Sequence, residues 1–326
     1  MKKKTRRIFI KAFIAIISFV LIFFLIQPFF VPKFVDHDAV STVTVNAFRQ
    51  LESNSIDVLF FGSSQMFCTV NTVLLDEKYN ISAYDFGASR QAMSITPYYL
   101  TEALKTQSPK LVAVEMASVF QTNEELTPME IAWNYAPMPL TKEKVISLEQ
   151  ILGSKWDAYQ HTFLPLLVYH DRWRVLGQQS DYDCRYDFEY IFHPDKYLNL
   201  YPRGYVTVDT VVEQSYDFEN SSVEIKAIPE ESIAAIDNIA EQCREKNIRL
   251  LFFKVPVSLW TRGESASVKQ LMDARGLDFI DLNDFSRELE IDENKDFSDI
   301  RHLNKYGGEK VTEYLAGILP LYLSAS

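Results

Sequence analysis

The sequence predicts an α/β protein: a doubly wound, flavodoxin-like parallel sheet of about five strands, carrying a long insertion and one N-terminal transmembrane helix. Three observations predict it. Five short runs rich in β-branched and aromatic residues recur along the chain, most of them apolar on both faces, as strands of a helix-covered parallel sheet are. Segments with helical apolar spacing separate them. A basic cluster at the N-terminus leads into a long apolar run.

The N-terminal run comes first. Lys2, Lys3, Lys4, Arg6 and Arg7 precede Ile8–Val31, which is interrupted only by Lys11, Ser18, Gln27 and Pro28. With its flanks the uncharged stretch Ala12–Ile26 reaches the roughly 20 residues that a bilayer requires. Lys11 lies near the basic end, where its stem can extend to the headgroups. Gln27-Pro28-Phe29-Phe30 is bulky and offers no small-x-small cleavage site, which favours a retained signal-anchor over a cleaved signal peptide. Residues 1–34 are therefore read as a cytoplasmic tip and anchor, with residues 8–31 in contact with lipid. The positive-inside rule puts the rest outside, as a single-pass protein of the cell membrane with an extracytoplasmic C-terminal domain.

Residues 35–56 read as a juxtamembrane connector and short helix, and residues 57–326 as the sheet domain. Its strands are expected at Val58–Phe61, Ala83–Phe86, Leu111–Glu115, Arg249–Val255 and Asp278–Leu282. Helical stripes follow at Ser94–Gln107 and at Ser232–Lys246, the latter with Ile233, Ile236, Ile239, Ala240 and Cys243 on one face. A shorter helix around Val268–Met272 stops at Gly276, and Lys305–Leu319 follows Asn304 as its N-cap. The alternation breaks at 121–228, a stretch with Trp133, Trp156, Trp173 and three of the five His. It is expected to be an insertion that forms a lid or substrate-binding subdomain.

Composition excludes some functions. Beyond residue 34 the chain carries 26 basic against 44 acidic side chains, a body that repels phosphate and does not suit nucleic acid. Cys68, Cys184 and Cys243 are odd in number and fit no metal spacing, so they are expected to be small buried hydrophobes. No glycine-rich phosphate loop and no metal-ligand spacing occurs, and no cofactor is expected. The Gly-x-Ser-x-Gly elbow is absent too, because Met66 stands where its second glycine would fall.

Two segments can carry chemistry. Asp57–Phe61 leads into Gly62-Ser63-Ser64-Gln65, so Ser64 falls at the carboxyl end of the first strand, where sites in such sheets gather. Near the other terminus, Asp299 and His302 lie three apart just before the last helix. One turn can set the carboxylate on Nδ1 of the imidazole, leaving Nε2 to take a serine proton. The plainer reading makes Gly62–Ser64 an ordinary turn and Asp299 a helix-capping residue. The order Ser, Asp, His across the two segments favours catalysis by Ser64, Asp299 and His302.

These segments resemble the SGNH or GDSL-type hydrolases. Gly62-Ser63-Ser64 is similar to their first block, with Ser63 in place of the common Asp, and Asp299-x-x-His302 is similar to their last. Gly87, in Asp85-Phe86-Gly87, resembles the second-block glycine, which implies an oxyanion hole built from the N–H groups of Ser64 and Gly87. The third block, usually Gly-x-Asn, reads Val114-Glu115-Met116-Ala117-Ser118 here and lacks the Asn. Gln91 is the candidate to replace that donor. The resemblance covers about 60 residues from the first strand and everything from about 245 on, but not the insertion.

With its anchor, the chain also resembles surface acyl-transfer members of that class in Gram-positive bacteria. More closely still, it resembles uncharacterised anchored SGNH-like proteins of anaerobic Gram-positive bacteria, which share a His-x-Arg-Trp element, seen here as His170-Asp171-Arg172-Trp173. The resemblance implies a serine esterase or O-acyltransferase acting on acylated cell-surface glycans or polymers, with a membrane-bound O-acyltransferase as an expected partner. His170 and Arg172 are candidate substrate-binding residues; the plainer reading is a solvated turn. The rival function is a non-catalytic carbohydrate-binding or scaffold protein that keeps the fold without the chemistry.

Overall fold

The computed structural model describes residues 2–33, 40–174 and 192–324. In chain order these form α1 (Lys2–Phe30), α2 (Ser41–Phe48), β1 (Val58–Phe61), the single turn α3 (Ser64–Phe67), α4 (Thr72–Tyr79), β2 (Ala83–Asp85), α5 (Thr96–Ala103) and β3 (Leu111–Glu115). Then come α6 (Pro128–Tyr135), α7 (Lys142–Leu152), α8 (Lys155–Phe163), α9 (Pro165–Val168), α10 (Glu230–Glu245), β4 (Arg249–Lys254), α11 (Arg262–Arg275), β5 (Asp278–Asp281) and α12 (Lys305–Leu323).

The five strands make one parallel sheet in the order β2-β1-β3-β4-β5. Its middle is wholly apolar: Phe60 and Phe61 of β1 and Phe252 and Phe253 of β4 are fully buried. Each such side chain stabilises the fold by about 1.5–3 kcal/mol relative to an exposed one. Helices α4 and α12 pack together, as do α5 and α10, the two pairs that right-handed crossovers put on opposite faces of such a sheet. The chain leaves β1 in one direction for β2 and, after returning, in the other for β3. The crevice beyond the carboxyl end of β1 therefore lies at the switch point where α/β sheets hold their ligands.

Local chemistry explains the helix limits. The α10 stripe Ala235, Ile236, Ile239 and Cys243 is buried, and Glu230 and Glu231 meet the positive end of its dipole. A capping box between Thr261 and Glu264 starts α11, and left-handed Gly276 ends it. Strand β2 stops one residue before the sequence suggests, because the Asp85 carboxylate captures the N–H of Gly87 (2.7 Å) and turns the chain. Cys68 and Cys243 are buried and unpaired; Cys184 lies outside the described residues.

The chain divides into two compact units, one of residues 1–33 and 139–192, the other of residues 34–138 and 193–326. The stretch 121–228 is thus shared between them. Its central part joins α1 in the first unit, where α7 and α8 start from the caps Thr141 and Ser154 and α1 packs on α9. Its flanks belong to the sheet unit: Val206 N–H bonds Phe67 O (2.8 Å) and Val212 N–H bonds Phe297 O (2.9 Å). Within α1, Thr5–Phe30 is long and apolar enough to cross a membrane, with mean hydropathy 2.9. Such a helix fits a signal-anchor or a signal peptide.

Candidate active site

Ser64 is placed by the glycine before it. Gly62 adopts φ +155°, and a Cβ there would meet the Cβ atoms of Glu115 and Met66 at 3.0 Å. Only glycine allows β1 to turn directly into α3 at this point. Ser64 opens α3, so its N–H has no acceptor within that turn.

His302 is placed from the far end of the sheet unit. An antiparallel bridge between Phe297 and Leu303 closes a short loop, and Ser298 N–H bonds His302 O (3.0 Å). Asn304 caps α12 by accepting from the N–H groups of Tyr306 and Gly307, while its own amide donates to Lys295 O and Phe297 O. The helix then seats on the segment after α3. Gly308 lies so near that a Cβ would be 2.7 Å from Thr69 O, and Thr312 Oγ1 accepts from Asn71 N–H at 2.9 Å. These contacts tie the loop that bears His302 to the turn that bears Ser64.

The result is a continuous hydrogen-bonded set. Ser64 Oγ lies 2.7 Å from His302 Nε2. His302 Nδ1 lies 2.9 and 3.0 Å from the two carboxylate oxygens of Asp299. Asp299 Oδ1 also accepts the backbone N–H groups of Arg301 (2.6 Å) and His302 (3.0 Å). Partial burial works to raise the Asp299 pKa, but the bonds from the His302 ring and these two N–H groups outweigh it and hold the carboxyl below its ordinary range. An ionised Asp299 accepting from Nδ1–H fixes the tautomer that leaves the Nε2 lone pair facing the serine hydroxyl.

A cleft of about 400 Å³ opens beside Ser64 and His302. Ser63 and Gln65 line it from β1, and Ala117, Ser118, Phe120 and Gln121 from beyond β3. Arg90, Lys226, Arg301 and Glu125 also line it, Lys226 being paired with Glu264 (2.9 Å). Arg90 has a left-handed backbone (φ +52°), is held by Glu130 through Nε (2.7 Å), and has a half-exposed side chain.

The other expected donors stand elsewhere. Gly87 N–H is engaged by Asp85 Oδ1 (2.7 Å), and Gly87 does not line the cleft. Its glycine identity has a different cause: a Cβ at 87 would be 2.4 Å from Gly62 O. Gln91 is fully buried, its Oε1 accepts from Thr96 Oγ1 (3.2 Å), and it does not line the cleft. His170 and Arg172 belong to the first unit and do not line the cleft either. They occupy a 3-10 turn in which the His170 ring bonds Leu167 O (2.8 Å) while Arg172 is buried.

One group beside the cleft was not anticipated. Glu115, ending β3, and Lys254, ending β4, form a buried ion pair (2.7 Å), and Lys254 also donates to Gln65 Oε1 (2.5 Å). The sequence signal is a lone charge at the end of each of two apolar strands. Among the described residues no group of three or more His, Cys, Asp or Glu could hold a metal ion. No protein-family model matches the chain, and no curated protein sequence matches it significantly.

Proposed function

We propose that the protein is an extracytoplasmic serine esterase or O-acyltransferase of the SGNH type, acting on acylated cell-surface glycans or polymers. The observation that carries this reading is the 2.7 Å contact of Ser64 Oγ with an imidazole whose other nitrogen is held by Asp299. His302 Nε2 takes the hydroxyl proton as Oγ attacks the acyl carbonyl, forming the new C–O bond. The tetrahedral intermediate then expels the substrate alkoxide, which leaves with the proton from Nε2, and acyl-Ser64 remains. Water or a sugar hydroxyl attacks the ester and gives its proton to Nε2, which passes it to Ser64 Oγ as the acyl–Oγ bond breaks. The apolar α1 and its basic lead support a membrane anchor that keeps this site at the cell surface. A membrane-bound O-acyltransferase is the proposed source of acyl groups.

The test is labelling by a fluorophosphonate, which reacts only with an activated serine. The full-length protein in detergent reacts, and Ser64→Ala and His302→Ala do not. Failure of the wild-type protein to react sinks the proposal. A second reading, a binding or scaffold protein with this fold, is favoured by the engagement of Gly87 N–H. It predicts binding of surface glycan with no adduct.

A further inference from the structure

The cleft at Ser64 lacks two donors that a developing oxyanion would need. Gly87 N–H is held by Asp85, and Gln91 is buried away from the cleft. We infer that the side-chain amide of Gln65 is the oxyanion donor of this site, and that Lys254 is the residue that positions it. The inference rests on the reading of Ser64 as nucleophile.

Hydrogen-bond direction carries the argument. Gln65 follows Ser64 and lines the same cleft. Lys254 Nζ sits 2.5 Å from its side-chain oxygen, 2.7 Å from Glu115 Oε1 and 3.2 Å from Val255 O. An ammonium has three donors and no acceptor, so it must face Oε1 of the glutamine and never Nε2. The three acceptors use all three donors. The planar amide then directs its NH₂ away from the lysine, and among the described residues that NH₂ makes no hydrogen bond. A donor is thus presented by a cleft residue adjoining the nucleophile, with its orientation set by a cation.

The support is rigid. Lys254 and Glu115 are 1% and 0% exposed, and Glu115 Oε2 is itself fixed by Ala117 N–H (2.9 Å). Positive charge on the carbonyl oxygen also polarises the amide and strengthens its N–H groups as donors. A donor held in place before reaction stabilises a transition-state charge without reorganisation. Gln65 is therefore the catalytic residue, touching the reacting oxygen, and Lys254 with Glu115 fixes its orientation.

The discriminating variant is Gln65→Glu. It keeps the size and still accepts from Lys254, but at neutral pH it has no N–H to give. Full-length wild-type and variant proteins in detergent are compared by hydrolysis of p-nitrophenyl acetate, fluorophosphonate labelling and melting temperature. The expected result is a loss of about 10²–10³ in kcat with KM nearly unchanged. The melting temperature should stay close to wild type. Gln65→Ala, which leaves Lys254 its Glu115 and Val255 acceptors, gives the same loss and serves if the first variant does not fold. A wild-type protein that labels, with folded variants within about threefold of its rate, overturns the donor role alone. A wild-type protein that does not label overturns the nucleophile and the donor together.

Discussion

Replacing Lys254 by methionine keeps most of the side-chain stem and removes the charge that Glu115 faces. The two groups are 1% and 0% exposed, so water cannot substitute for the lost partner. Glu115 would keep only the N–H of Ala117 at 2.9 Å and a longer one from Val255 at 3.5 Å. Breaking one half of a buried pair costs about 3–5 kcal/mol, because the remaining charge stays desolvated. Glu115→Gln should cost a similar amount by stranding the ammonium. In the double variant the new amide oxygen can accept from Ala117 N–H, and no unpaired charge is left buried. It should lie within about 2 kcal/mol of wild type, since neutral replacements of buried pairs are often tolerated. The cycle therefore predicts a coupling of at least about 3 kcal/mol. Urea unfolding of the detergent-solubilised protein measures it, followed by tryptophan fluorescence, to which Trp260, 5.3 Å from Lys254 Nζ, contributes. Single substitutions that cost under about 1 kcal/mol, or costs that simply add, refute the reasoning.

Three further outcomes are expected. Asp299→Asn loses the carboxylate that orients His302 and should lower acylation by up to about 10⁴-fold in stopped-flow ester hydrolysis. The depressed folded pKa of Asp299 means its contribution to stability is present above the ordinary carboxyl value near 3.8 and fades as pH falls through the folded value. Acid unfolding of Asp299→Asn should be less steep over that range. Burial pushes the Asp85 pKa well above 3.8, so folding favours its protonated form and stability falls as pH rises from 3.8 toward the folded value. Asp85→Asn should flatten that decline in melting temperature measured against pH, since the amide oxygen still accepts from Gly87 N–H. Protease added to intact protoplasts should digest the C-terminal body of an anchored protein, and full protection would count against that topology.

Much of the sheet was legible because its information is local. Runs such as Val58–Phe61 and Leu111–Glu115 are apolar on both faces, and the helix stripes that follow repeat with the helical period. Ser64 and His302 were legible as candidates because each borders a regular element, Ser64 just after β1 and His302 just before α12. The short helix Thr72–Tyr79 was not, because it has no apolar stripe and is recognisable chiefly by its Asn71 cap. The division of 121–228 between two units depends on pairings over long sequence distances, which periodicity does not encode. The same holds for the Glu115–Lys254–Gln65 set, whose members lie 139 and 189 positions apart. The fate of Gly87 N–H was within reach, because an Asp two residues ahead of a backbone N–H is the signature of an Asx turn.

The central claim is that Ser64 carries the acyl group. The most direct measurement mixes full-length protein with an activated acetyl ester, quenches in acid within the first turnover, and maps the protein by peptide mass spectrometry. One acetyl group is expected, on the peptide containing Ser64, formed in a burst and absent in Ser64→Ala and His302→Ala. Ester turnover with no modification at Ser64, or an adduct that survives Ser64→Ala, would contradict it.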